Sequence, residues 1–161
     1  MSLSIDAGSN EVYNAIHAVK GNVKLYDKIL NNVIKIGKAN ITNGLKFDIS
    51  AAYLVNIHNH DVNEVNHFID DFQDAGCNLL RFTFPQPPRG IKTEPGVVPT
   101  KDEIQSYKRK LNPIINKANN ENCVTMLMDA DSQHDIFKKP RTLPCFARFV
   151  YPTIGFDGWL Y

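Results

Sequence analysis

Apolar positions along the chain alternate between two rhythms. Short runs that are apolar at nearly every position are separated by longer stretches in which apolar residues recur every three or four positions. The first rhythm is that of strands buried on both faces and the second that of amphipathic helices. Their alternation predicts βαβ units and a parallel sheet.

Leu3–Asp6 is the first predicted strand. Ala7-Gly8-Ser9-Asn10 supplies a turn and an N-cap, Glu11–His17 a short helix, and Lys20-Gly21-Asn22 a break. Leu25, Ile29, Val33 and Ile36, joined by Tyr26, Leu30 and Ile34, form a helical stripe that ends at Asn43-Gly44. Phe47–Val55 is the second strand. Asn63–Ala75 is the next helix, with Val65, Phe68, Ile69 and Phe72 on one face and Gly76 as its stop. Asn78–Phe84 is the third strand.

Pro85–Pro99 is rich in proline and glycine and follows the C-terminal end of a strand, where parallel folds carry ligand sites. Thr100 and Glu103 have capping-box spacing and open a helix to about Asn120. Pro113 should kink or interrupt that helix. Cys123–Asp129 is the fourth strand. From Ala130 no clear helix follows, and Phe146–Tyr151 reads as an aromatic strand. The count is about four strands with three helical connections. That is half of a (β/α)₈ barrel, which needs about 250 residues, or else a small open α/β sheet.

Composition narrows the classes. The 161 residues are 43% hydrophobic and 22% charged with net charge +1, which is ordinary for a globular domain. No polybasic footprint points to nucleic acid or to a membrane surface. No apolar run approaches the ~18 residues of a membrane span, and the N-terminus lacks a secretory pattern. Three cysteines, Cys77, Cys123 and Cys145, form no C-x-x-C pair and suit a reducing cytoplasm better than a disulfide framework. Leu3–Asp6 has no element before it, and Phe156–Tyr161 reads as a turn and a strand start. The expectation is a piece of a larger enzyme, with open sheet edges that invite self-association.

Several residues could carry chemistry. His58-Asn-His60-Asp61 follows a strand and offers two metal ligands of the three or four that a site needs. The plainer reading is a polar loop capping the next helix through Asp61 or Asn63. Arg81 lies among apolar strand neighbours and must meet an anion or several carbonyls: a ligand's carboxylate or phosphate, or an internal partner such as Asp48 or Asp129. Ser4 and Asp6 end the first strand, where they hold a ligand's hydroxyls or cap the following turn. Cys77 and Cys123 each begin a strand and read as buried packing residues. No glycine-rich phosphate loop and no Ser–His–Asp pattern is present.

Two stretches carry a family resemblance. Leu3–His17, with Ser4 and Asp6 as "S-x-D", then Val19-Lys-Gly21 and Tyr26-Asp-Lys-Ile-Leu-Asn-Asn32, resembles the middle of a radical SAM enzyme barrel. The strand ending Leu54-Val-Asn56, the helix Val62–Gly76 and the strand Asn78–Phe84 are similar to that family too, so the likeness spans most of residues 3–129. Cys145-Phe-Ala-Arg-Phe-Val-Tyr-Pro-Thr-Ile-Gly-Phe-Asp-Gly158 resembles the opening of a SPASM- or Twitch-type auxiliary-cluster region.

The resemblance implies a partial barrel over residues 1–144 and a truncated auxiliary region over residues 145–161. It implies a parent that holds a [4Fe–4S] cluster, cleaves S-adenosylmethionine reductively and modifies a peptide or small molecule. Ser4 and Asp6 match positions on a strand lining the S-adenosylmethionine pocket, and Arg81 matches a cofactor-binding position that faces the barrel interior, towards cofactor or substrate. His17 stands where many members have arginine. Cys145 matches an auxiliary-cluster metal ligand. The C-x-x-x-C-x-x-C motif that anchors the cluster is absent, so this chain is expected to bind no cofactor and to be silent alone. The runner-up is a self-sufficient α/β binding module that uses the Pro85–Pro99 loop. A metallohydrolase based on His58 and His60 ranks behind it.

Overall fold

A computed structural model describes residues 1–85 and 98–128, all within one compact unit, Met1–Asp129. In chain order these residues form β1 (Ser2–Ser4), α1 (Asn10–Ile16), α2 (Leu25–Thr42), β2 (Ser50–Leu54), α3 (Val62–Asp74), β3 (Leu79–Thr83), α4 (Lys101–Ala118) and β4 (Val124–Leu127). The expected aromatic strand at Phe146–Tyr151, Cys145, Asp129 and the body of the Pro85–Pro99 loop lie outside the described residues. So does the expected boundary at residue 144.

The four strands form one open, all-parallel sheet in the order β1-β2-β3-β4. Ser2 pairs with Ser50 and Ser50 with Leu79, while Ser4, Ala52 and Arg81 form the next row with Met126. Parallel neighbours need crossover connections, and these are right-handed almost without exception. A sheet whose strand order never reverses therefore carries all its helices on one face. The contacts agree: α2 packs on α3, and α3 on α4.

That face holds the core. Ala51, Tyr53, Leu80 and Phe82 point into it and are buried, as are Phe68, Ile69 and Phe72 of α3. Tyr53, Phe68 and Phe82 meet at ring separations of 4.8, 5.3 and 5.6 Å, and Phe68 meets Phe72 at 4.7 Å. Such pairs add roughly 0.5–1.5 kcal/mol each beyond area burial. The opposite face, bearing Ser2, Ser4, Ser50, Ala52, Leu54, Leu79, Arg81, Thr83, Val124 and Met126, is exposed or half-buried.

Most helix ends follow the sequence. Asp61 caps α3, its carboxylate accepting from the amides of Asn63 and Glu64. The Thr100–Glu103 capping box opens α4. Three details differ. On α2 the buried positions are Tyr26, Val33 and Gly37, with Ile29 and Ile36 only half-buried. Gly37 is there because a Cβ would lie 2.3 Å from the Ala75 carbonyl oxygen of the neighbouring helix end. α4 runs on through Pro113, held by the burial of Leu111 and Ile115 on either side. β1 stops at Ser4, and the chain leaves the sheet at Asp6, whose φ of 59° is left-handed. Among the described residues no helix is long and apolar enough to cross a membrane.

Candidate functional site

The C-terminal edge of a parallel sheet is where its strands release their loops, and here it is built around the turn after β1. Ile5 N–H still donates to the Ala52 carbonyl. The next donor on β2, Leu54 N–H, is taken by Asp6 Oδ1 at 2.7 Å, so a side chain continues the ladder where the backbone has turned away. Ser4 Oγ lies 3.4 Å from both Asp6 oxygens. Burial pushes the Asp6 carboxyl above its ordinary value, while the Leu54 amide, His17 and the Ser4 hydroxyl pull it back down.

Asn59 locks this turn in place. It is fully buried in the loop between β2 and α3. Its Nδ2 donates to the carbonyls of Asp6 (2.8 Å) and Leu54 (3.0 Å), and its Oδ1 accepts from Asn56 N–H at 2.7 Å. Its own carbonyl accepts from the Tyr53 hydroxyl at 2.7 Å, and burial holds that phenol protonated far above its usual value. Beside it, Glu64 Oε1 accepts from Gly8 N–H (2.6 Å) and from Ser9 Oγ (3.2 Å), tying α3 to the start of α1. Gly8 allows this approach: a Cβ there would sit 2.1 Å from the Glu64 carbonyl oxygen.

The structure thus brings Ser4 and Asp6 together but not Arg81. Arg81 pairs with Ala52, and its guanidinium crosses that short residue to reach β1, where Nη2 donates to Ser2 Oγ at 3.0 Å. Ser2 lies two residues before Ser4, about 7 Å at the rise of a parallel strand. Arg81 Nε is buried without a hydrogen-bond partner. Asp48, one of the two acids named as possible partners, is engaged by Asn78 Nδ2. Asp129 lies outside the described residues.

The two loop histidines do not converge. His60 stacks on Tyr107 of α4 at 4.2 Å, with Nδ1 3.3 Å from the Asn56 carbonyl oxygen. His58 contributes its backbone amide to Asn56 Oδ1. Among the described residues no group of three His, Cys, Asp or Glu side chains could hold a metal ion. Cys77 and Cys123 are buried free thiols at the N-terminal ends of β3 and β4, the far end of the sheet from Asp6. Burial pushes the Cys77 thiol up to about 12 and raises that of Cys123.

Asn59, Glu64 and Gly8 carry the edge; the sequence marks Gly8 as part of the turn before α1, but no pattern marks Asn59 or Glu64. Asn59 was hidden inside His58–Asp61, where histidines draw attention. Glu64 occupies the first turn of α3, where an acid reads as a dipole partner. No family model, no curated protein and no solved structure matches the chain.

Proposed function

We propose that the chain is a piece of a radical SAM iron–sulfur enzyme of the SPASM or Twitch type and is catalytically silent by itself. In this reading the parent cleaves S-adenosylmethionine reductively and modifies a peptide or small molecule. The supporting observation is the unreversed strand order β1-β2-β3-β4 with every crossover helix on one face. A (β/α) barrel opened along one seam has this arrangement, whereas a doubly wound sheet reverses its order and takes helices on both faces.

The chain's own residues fit the two cofactors unequally. The Ser4 hydroxyl is exposed at the C-terminal edge and Asp6 is half-buried beside it. Together they offer a donor and an acidic acceptor to the polar groups of S-adenosylmethionine. A [4Fe–4S] cluster does not fit: it needs three convergent thiolates. Cys77 and Cys123 are buried at the opposite end of the sheet, with thiols that burial keeps protonated. No step through a cluster is therefore assigned to these residues, and Cys145 alone could not anchor one.

The test is on the parent. The full reading frame that encodes this chain is expressed anaerobically, and iron, sulfide, visible absorbance and S-adenosylmethionine cleavage under reduction are measured. A brown protein that cleaves S-adenosylmethionine is the expected result. A colourless product from a reading frame without a cysteine triad would overturn the reading and leave a self-contained α/β binding module.

A further inference from the structure

Asn43 is the one asparagine in the sequence that is followed by glycine, and the pair sits where α2 ends. Residues 41–46 are all exposed, Ile41 at 80% and Leu45 at 57%. No side chain of this stretch is anchored in the core, so the last turn of α2 opens at little cost. Lys46 adds strain, with a φ of 53° that a residue bearing a side chain rarely adopts. The space around Gly44 is open: a Cβ there would meet nothing within 4 Å. Closed, the turn keeps its two reactive groups apart. Asn43 has a ψ of 3°, which leaves its Cβ and the Gly44 nitrogen on different sides of the Cα–C bond. Asn43 Nδ2 donates to the Ala39 carbonyl at 2.8 Å, and Gly44 N–H to the Ile41 carbonyl at 3.2 Å. Both bonds belong to the fraying end of the helix.

We propose that Asn43 is a self-modification site, converted to aspartate and isoaspartate through a cyclic imide formed with the Gly44 amide. When the turn opens, the deprotonated Gly44 nitrogen attacks Asn43 Cγ. The N–Cγ bond forms as the bond from Cγ to Nδ2 breaks, and ammonia leaves with the proton that Gly44 gave up. Water then opens the ring at either carbonyl. Breaking the bond to Cγ gives aspartate, and breaking the bond to the Asn43 backbone carbonyl gives isoaspartate. Both products set a carboxylate at the negative end of α2 and lose the amide donor to Ala39. Isoaspartate also adds a carbon to the backbone between α2 and β2. It does so inside the loop that Asn40 closes, accepting from Phe47 N–H at 3.2 Å and donating to its carbonyl at 2.8 Å. The modification therefore loosens the end of α2, at the opposite end of the sheet from the Ser4–Asp6 edge. The site does not rest on the family reading.

The experiment incubates the full chain at mildly alkaline pH and body temperature and digests it. Asn43 is followed by mass spectrometry with electron-transfer fragmentation, which distinguishes isoaspartate from aspartate. The expected result is progressive amide-to-acid conversion at Asn43 ahead of every other asparagine, faster at higher pH, with both isomers present. Gly44→Asn keeps a residue that tolerates the φ of 59° but sets a side chain beside the attacking nitrogen. It should slow conversion by about tenfold or more. Asn43→Gln, which would have to close a larger ring, should show no conversion at residue 43 over the same time. An Asn43 that stays intact, aspartate without isoaspartate, or a Gly44→Asn chain that converts as fast as wild type would each overturn the site.

Discussion

Arg81 and Ser2 meet across an intervening strand, guanidinium Nη2 to hydroxyl at 3.0 Å, because the residue between them on β2 is Ala52. The contact joins β3 to β1 without a shared backbone hydrogen bond. One neutral acceptor is a small return for a half-buried arginine whose buried Nε stays unpaired. Leaving such a donor unsatisfied costs roughly 1–3 kcal/mol. Arg81→Met keeps the apolar stem and removes the orphan, so its stability in urea should lie within about 1 kcal/mol of wild type, or above it. A loss beyond about 2 kcal/mol would place a carboxylate on the guanidinium.

Asn59 binds three backbone groups with one amide: the carbonyls of Asp6 and Leu54 and the Asn56 N–H. Asn59→Ala strips all three of a buried partner and should destabilise the chain by about 2–4 kcal/mol. The check is urea denaturation with an unchanged slope, which separates lost stability from a changed denatured state. Asn59→Asp keeps the acceptor but sets a carboxylate against two carbonyls. It should lose at least as much at neutral pH and recover part of it in acid.

The frame of the protein was legible because its signals are periodic and local. The apolar face Val65, Phe68, Ile69, Phe72 is the buried face of α3, and the Thr100–Glu103 box forms as its spacing requires. The expected open, parallel α/β sheet is present, and its strand order supplies what no run of residues encodes. The edge was legible in part. Ser4 and Asp6 were singled out and do meet, but the route of Arg81 depends on Ala52 across the sheet and on nothing adjacent in sequence. Pro113 does not interrupt α4, because burial of Leu111 and Ile115 outweighs one missing helical hydrogen bond. Asn59 was invisible because its partners lie in two other segments.

The Asp6 carboxyl titrates in a way that gives this edge a pH signature. Its folded value is raised above 3.8, chiefly by burial, with the Leu54 amide opposing. A raised carboxyl contributes stability that is full below the unfolded value and is lost as pH rises through the folded one. Asp6→Asn keeps an oxygen for the Leu54 amide, tolerates the left-handed φ of 59° and does not titrate. Stability of wild type minus variant should therefore fall as pH rises from below 3.8 and then level off. Glu103 shifts the opposite way, held down by the Thr100 amide and hydroxyl, but contributes equally to both proteins and cancels in the difference. Denaturation of the pair across this range checks the sign, and a difference that grows with pH would mean the fold prefers the charged carboxylate.

Among the described residues β4 is hydrogen-bonded to another strand on one side alone, and the sheet does not close. An open edge of this kind templates further pairing unless charge, proline or a bulge blunts it. Here the edge carries Val124 and Met126, 45% and 40% exposed, and the Thr125 amide is diverted to Asn119 Oδ1 at 3.3 Å. The partner expected is a second copy of this chain, since like edges present like ladders. Sedimentation velocity at micromolar concentration should show dimers or larger species whose share grows with concentration. Val124→Lys with Met126→Lys places two like charges on the edge and should return the chain to monomer without changing its circular dichroism. A wild-type chain that stays monomeric at every concentration rejects edge pairing, and a double variant that associates unchanged moves the contact to another surface.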